Sequence, residues 1–416
     1  MARFGRRRRD GEERVKRISP IVAAVFLPTA LLAFGQGVLV TTLPLYASSL
    51  GVGYSLISLA VSAAAIGTLA ADVPAGAFLA RIGLRKAMIG GSALVTVSTL
   101  LLAFGPGLPL LVALRVLAGV GAALWALSRH AYLTEAIPLG QRGQAISVFG
   151  GINRLGVFAG PVLGGLAADR FGLTASFLLS GLLAGVATIV SIVLLKPAPR
   201  PQSAPRAARW RVVGASMRAN GRDLGAASTA QTLGQMIRTG RYLIIPLYGA
   251  DRLGLDAGQI GLILTVGAML DVSMFVPAGW LMDRFGRKVA AVPSFGIMAL
   301  GVALIPRADS FRALLVAALV IGLGNGLGSG VMMTLGADLA PAGATGEFLG
   351  IWRLIGDVGA ALGPLTVGWV AASFGLANGA YVLAGIGLLT ALTLAVLVRE
   401  TRAGTMNGES RSSVEK

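Results

Sequence analysis

Gly279-Trp280-Leu281-Met282-Asp283-Arg284-Phe285-Gly286-Arg287-Lys288 is a short charged turn between two apolar runs, and it has a twin. Counting back 203 residues gives Gly76-Ala77-Phe78-Leu79-Ala80-Arg81-Ile82-Gly83-Leu84-Arg85, followed by Lys86. The offset holds outward from the turn. Pro74-Ala75 falls on Pro277-Ala278, Gly119 and Gly121 on Gly322 and Gly324, and Pro138 on Pro341. Gly156, Gly160-Pro161 and Gly165 fall on Gly359, Gly363-Pro364 and Gly368, and Phe171-Gly172-Leu173 on Phe374-Gly375-Leu376. Gly and Pro fix where a backbone turns and how closely it is approached, so their repetition means that one backbone path is used twice.

Both copies are apolar. The chain is 55% hydrophobic and 13% charged with a mean hydropathy of +0.77, whereas soluble domains carry about 25% charged residues. Runs long enough to cross a bilayer recur twelve times. Six fall in residues 18–195 and six in 223–398, which predicts an all-α membrane protein built as two pseudo-symmetric six-helix bundles. Residues 1–17 read as a basic tail, 196–222 as a Pro/Ala/Arg-rich linker able to form a short surface helix, and 399–416 as a second tail. Two tandem apolar halves are how many secondary transporters are made. The 59 glycines suit helices that touch through small residues. No cysteine is present, which excludes disulfides and thiolate metal sites, and a single histidine, His130, argues against a metal centre.

A net charge of +18 raises nucleic acid as a partner, and its distribution argues against one. Of the 36 Lys and Arg, 27 lie in the tails, the linker and the turns on one side of a twelve-span topology; 4 lie on the other side and 5 inside spans. That asymmetry predicts cytoplasmic termini and makes Arg6-Arg7-Arg8-Arg9 a topology and anionic-lipid signal. A prokaryotic cytoplasmic membrane and a monomer are the expected setting. No phosphate loop of the GxxxxGK[ST] type occurs, so no cofactor is expected and a proton gradient is the expected energy source.

The two turns resemble the GxLxDRxGRK signature of the major facilitator superfamily, through Gly279, Asp283, Arg284, Gly286, Arg287 and Lys288 and through Gly76, Arg81, Gly83 and Arg85. The first copy has Ala80 where the signature has Asp, so a carboxylate latch at a helix N-terminus or an Arg is expected only from Asp283. Gly156, Gly160, Pro161, Gly164 and Gly165 are similar to the GPxxGG element of twelve-span drug:proton antiporters. Arg115-Val116-Leu117-Ala118-Gly119-Val120-Gly121 is similar to the family's RxxxGxG element. The resemblance implies alternating access and a cavity lined by spans 1, 4, 7 and 10, with Gln36, Arg115, Arg238, Arg241 and Asn325 as lining candidates.

Eight ionisable residues fall inside spans: Asp72, Arg115, Arg154, Arg238, Arg241, Asp271, Arg353 and Asp357. Each is a functional candidate because charge is costly at bilayer depth. Depth and the family's helix arrangement pair Asp72 with Arg353, and Arg154 with Asp271, across the two halves. Asp357 has no depth-matched partner, which makes it the leading proton carrier ahead of Asp271 and Asp72. The surplus of buried arginine favours an anionic substrate. The expected function is proton-coupled efflux of a small amphipathic compound. Uptake of a small organic anion is the alternative, and a non-transporting sensor or lipid-handling protein is the reading from another class.

Overall fold

The computed structural model describes residues 2–136, 142–196, 206–341 and 343–401. Among them the chain is helical throughout, with no strand. The helices are α1 (Ala2–Ser49), α2 (Tyr54–Ile82), α3 (Leu84–Leu102), α4 (Leu108–Ala136), α5 (Arg142–Phe171), α6 (Leu173–Leu194), α7 (Arg206–Ala219) and α8 (Gly221–Leu253). They continue as α9 (Ala257–Ser273), α10 (Phe275–Phe285), α11 (Arg287–Leu304), α12 (Phe311–Leu327), α13 (Val331–Asp338), α14 (Thr345–Phe374) and α15 (Leu376–Val396). Among the described residues nine spans are long and apolar enough to cross a membrane, counting α9 with α10 and α12 with α13 as one each. The rest of the expected twelve are α3, α5 and α8, helices of 19, 30 and 33 residues. In α8 the shortfall has a local cause: Gln231, Gln235, Arg238 and Arg241 interrupt its apolar character.

The chain forms two compact units, residues 1–42 with 66–202 and residues 43–65 with 203–416. Each is internally packed in the same order. In the first, α3 packs on α4 and α6; in the second, α11 packs on α12 and α15. Glycine sets the crossings. Methyl groups at Gly156, Gly160 and Gly164 of α5 would run into the α1 backbone at Phe34, Gly37 and Val38. At the matching positions of α14, Gly359 and Gly363 meet the α8 backbone at Thr232 and Met236. Gly121 of α4 lies against Gly91 of α3, and Gly324 of α12 against Ser294 and Met298 of α11. The antiporter-like element is thus the seam between α5 and α1.

The peripheral helices repeat even their exposure. Ile189 and Leu392 are 62% and 60% exposed, and Val193 and Val396 are 72% and 74% exposed, at the same offset of 203. Such bare aliphatic stripes suit hydrocarbon. One boundary departs from the expected split after residue 195. Residues 43–65, the end of α1 and the start of α2, pack with the second unit. Tyr54 Oη donates to Asp251 Oδ2 at 3.0 Å, and Ser58 fills the space that Gly368 leaves open.

Candidate functional site: a buried acid between two broken helices

The second unit breaks two helices that the first unit leaves whole. Pro277 has no N–H for the carbonyl four residues before it, Ser273, and α9 gives way to α10 at Met274. Its counterpart Pro74 sits inside an unbroken α2. Gly328-Ser329-Gly330 separates α12 from α13, with Gly330 at φ 80°, where the first copy has Trp125-Ala126-Leu127 inside an unbroken α4. Broken membrane helices expose backbone polar groups and are found where a transporter handles ions and substrates.

Asp271 lies between the two breaks. Gly326 lets α12 close on α9 here, since a methyl group on it would come within 2.5 Å of the Asp271 carbonyl oxygen. Asn325 Nδ2 donates to Asp271 Oδ2 at 2.5 Å, and Arg241 Nη2 stands 4.0 Å from the same oxygen. Arg241 also donates to Tyr242 Oη at 2.8 Å, with its guanidinium 4.7 Å from the Tyr242 ring centroid. Arg238 turns elsewhere. Its Nη2 donates to the Gly328 carbonyl at 3.0 Å and its guanidinium lies 5.1 Å from the Phe295 ring centroid. It caps the severed end of α12.

The other candidates divide between the units. Asp357 is not isolated, as its depth had implied. Arg353 Nε lies 3.4 Å from its Oδ2, four residues back on the same helix, so a neighbour along α14 supplies the counter-charge. Asp72 is half-buried on α2, and Gln36 is exposed on α1. The Arg154 side chain lies outside the described residues. Arg115 is largely buried on α4, and its Nε meets no hydrogen-bond acceptor among the described residues.

The two signature turns are built alike and fastened differently. Gly83 and Gly286, at φ 81° and 106°, start α3 and α11. Arg85 donates to the Leu195 and Ile192 carbonyls at 2.7 and 2.9 Å, and Lys288 to the Ala395 carbonyl at 2.7 Å. Ile192 and Ala395 are again 203 apart. Among the described residues, carboxylates latch the second turn. Glu400 accepts from the backbone N–H groups of Arg287 and Lys288 at 2.7 and 3.0 Å. Arg287 Nε donates to Asp338 Oδ2 at 3.1 Å, which also accepts from Thr401 Oγ1 at 2.9 Å. Asp283, 84% exposed, lies 3.7 Å from Arg287, and among the described residues the start of α11 is capped by Glu400. Sequence reasoning missed Glu400, which has no twin. Asp338 was within reach, because Glu135 occupies the matching position.

A family model described as Major Facilitator Superfamily matches residues 25–235 and 227–414. The chain belongs to the major facilitator superfamily. It is a transporter of that superfamily and not an enzyme. An uncharacterised transporter of the superfamily from Methanocaldococcus jannaschii is 22% identical, over 86% of this chain and 92% of its own length. The class C tetracycline resistance protein of Escherichia coli is 27% identical over 55% of this chain and 58% of its own. The crystal structure of a D-xylose–proton symporter superposes with a TM-score of 0.75 at 18% identity, covering 92% of this chain and 98% of that one. For this superfamily member the fold is therefore shared with a symporter, while one partial sequence relative is a resistance protein.

Proposed function

We propose that the protein is a secondary active transporter that exports a small amphipathic compound in exchange for protons, by alternating access, from a prokaryotic cell across its cytoplasmic membrane. The observation that carries the coupling is the Asp271 carboxylate held by Asn325 and Arg241 between the two broken helices. Export against a gradient needs a group whose protonation differs between two facing states. Protonating Asp271 dissolves its ion pair and releases Arg241, and the breaks beside it are joints that can register the change. Asp357 and its counter-charge Arg353 share one unbroken helix, with no joint between them. This moves the preferred proton carrier from Asp357 to Asp271. The relatives named as multidrug or tetracycline resistance proteins support the outward direction. The basic side of the molecule supports cytoplasmic termini.

The test is transport in proteoliposomes with an imposed pH gradient. Asp271→Asn should abolish gradient-driven accumulation and leave substrate exchange in place, because it fixes the site in its neutral form. Undiminished accumulation in that variant would remove Asp271 from coupling.

A further inference from the structure

In the second unit the cations deep inside spans have described partners: Arg241 with Asp271 and Tyr242, Arg238 with the Gly328 carbonyl, and Arg353 with Asp357. Arg115 in the first unit differs. Among the described residues its guanidinium takes part in no hydrogen bond, ion pair or ring contact, and Nε is fully shielded. Its orientation follows from its neighbours on α4. Leu110 and Leu117, exposed at 55% and 44%, mark the outer face. Val116 and Gly119 meet α2, through Gly67 and the Thr68 hydroxyl, and Gly121 meets α3. Arg115 takes the remaining, inward face, in line with Ala122.

No acid in its own unit lies level with it. Between Glu13 and Asp223 the sequence holds only Asp72, Glu135 and Asp169. The contacts of Gly67 with Val116 and of Thr68 with Gly119 fix the α2–α4 register, which sets Asp72 opposite Ala122. That is seven residues, or about 10 Å, further along the axis than Arg115. Arginine keeps its proton, so this cation persists in every state of the cycle. A charge left bare at bilayer depth is unfavourable, and a planar guanidinium is suited to a carboxylate.

We infer that Arg115 is the docking group for an anionic group, a carboxylate above all, on the transported compound. The inference rests on the transporter reading and names its substrate class. The test is binding to the purified full chain in micelles, with no gradient present. Thermal shifts are compared for matched pairs of acid and primary amide: benzoate with benzamide, 1-naphthoate with 1-naphthamide, and decanoate with decanamide. At least one acid should stabilise the protein more than its amide. Arg115→Gln should erase that difference, and Arg312→Gln, at a peripheral site, should keep it. Arg115→Lys guards against misfolding: it keeps the charge, loses the fork, and should weaken acid binding about tenfold. Equal shifts for every pair, a difference that survives Arg115→Gln, or unchanged affinity in Arg115→Lys would overturn the assignment. Because no gradient is used, a failed pH response in liposomes with an intact acid–amide difference would refute proton coupling alone.

Discussion

The two units share glycines and almost no charges. Gly121 and Gly324, Gly160 and Gly363, and the positive-φ Gly83 and Gly286 hold matching places in matching crossings and turns. Where the second unit has Arg238, Arg241, Asp271 and Asn325, the first has Gly35, Val38, Thr68 and Ala122. Thr68 still reaches across to α4, donating to the Gly119 carbonyl at 3.1 Å, as Asp271 is reached from α12. Conversely, Arg115 is matched by Ala318. A doubled scaffold has kept its close approaches, because each is a backbone-to-backbone constraint that a side chain would violate. Its chemistry has diverged, because polar groups at a crossing need only local partners.

The two glycine seams should be equally intolerant of bulk. Gly160→Leu and Gly363→Leu should each abolish the folded monodisperse protein in fluorescence-detected size exclusion, since both would drive a side chain into backbone. Gly385→Leu, with open space around it, should be tolerated.

Charge should separate the units next. Asp271→Ala strands Arg241 and should cost about 3–5 kcal/mol, against about 1 kcal/mol for Thr68→Ala at the matching position. Chemical denaturation in micelles measures both. A double-mutant cycle of Asp271→Asn with Arg241→Gln should be non-additive by at least about 0.5 kcal/mol, and additive losses would refute direct coupling.

The latch and the joint give the smaller effects. Glu400→Ala should lower stability by about 1 kcal/mol through loss of the α11 cap, read as a drop in melting temperature. The first unit has Pro197 at that position, so no equivalent substitution exists there. Gly330→Ala forces a methyl group into the left-handed region and should cost about 1–2 kcal/mol. In unbroken α4 the sign of the exchange reverses. Ala126→Gly, at the place of Ser329 in the break, should cost about 0.5–1 kcal/mol, because there glycine only loosens a continuous helix.

The repeated turns and the glycine spacing made the fold class and the helix crossings legible, because they fix backbone. Partner choice was harder to read. The isolation expected of Asp357 came from matching depth between helices, which overlooks Arg353 one turn away on its own helix. The bond from Arg238 to the Gly328 carbonyl was not legible because nothing in the chain announces that α12 breaks; Gly328-Ser329-Gly330 reads equally as one more small-residue contact face. Glu400 sits just past the last apolar run, and its partners Arg287 and Lys288 lie more than a hundred residues away. Neither repeat nor periodicity carries such a contact.

The eight residues of α13 have one more implication. A helix this short does not hold itself together, and most of its backbone groups belong to its ends. Its order is borrowed. Trp352 Nε1 donates to the Met332 carbonyl at 2.9 Å beside the space left by Gly336, and Arg287 and Thr401 hold Asp338 at the far end. With so few hydrogen bonds of its own, α13 should trade its amide protons for deuterium well before the matching turns of α4, which lie inside a helix of 29 residues. The isotope would mark where this otherwise doubled molecule is soft.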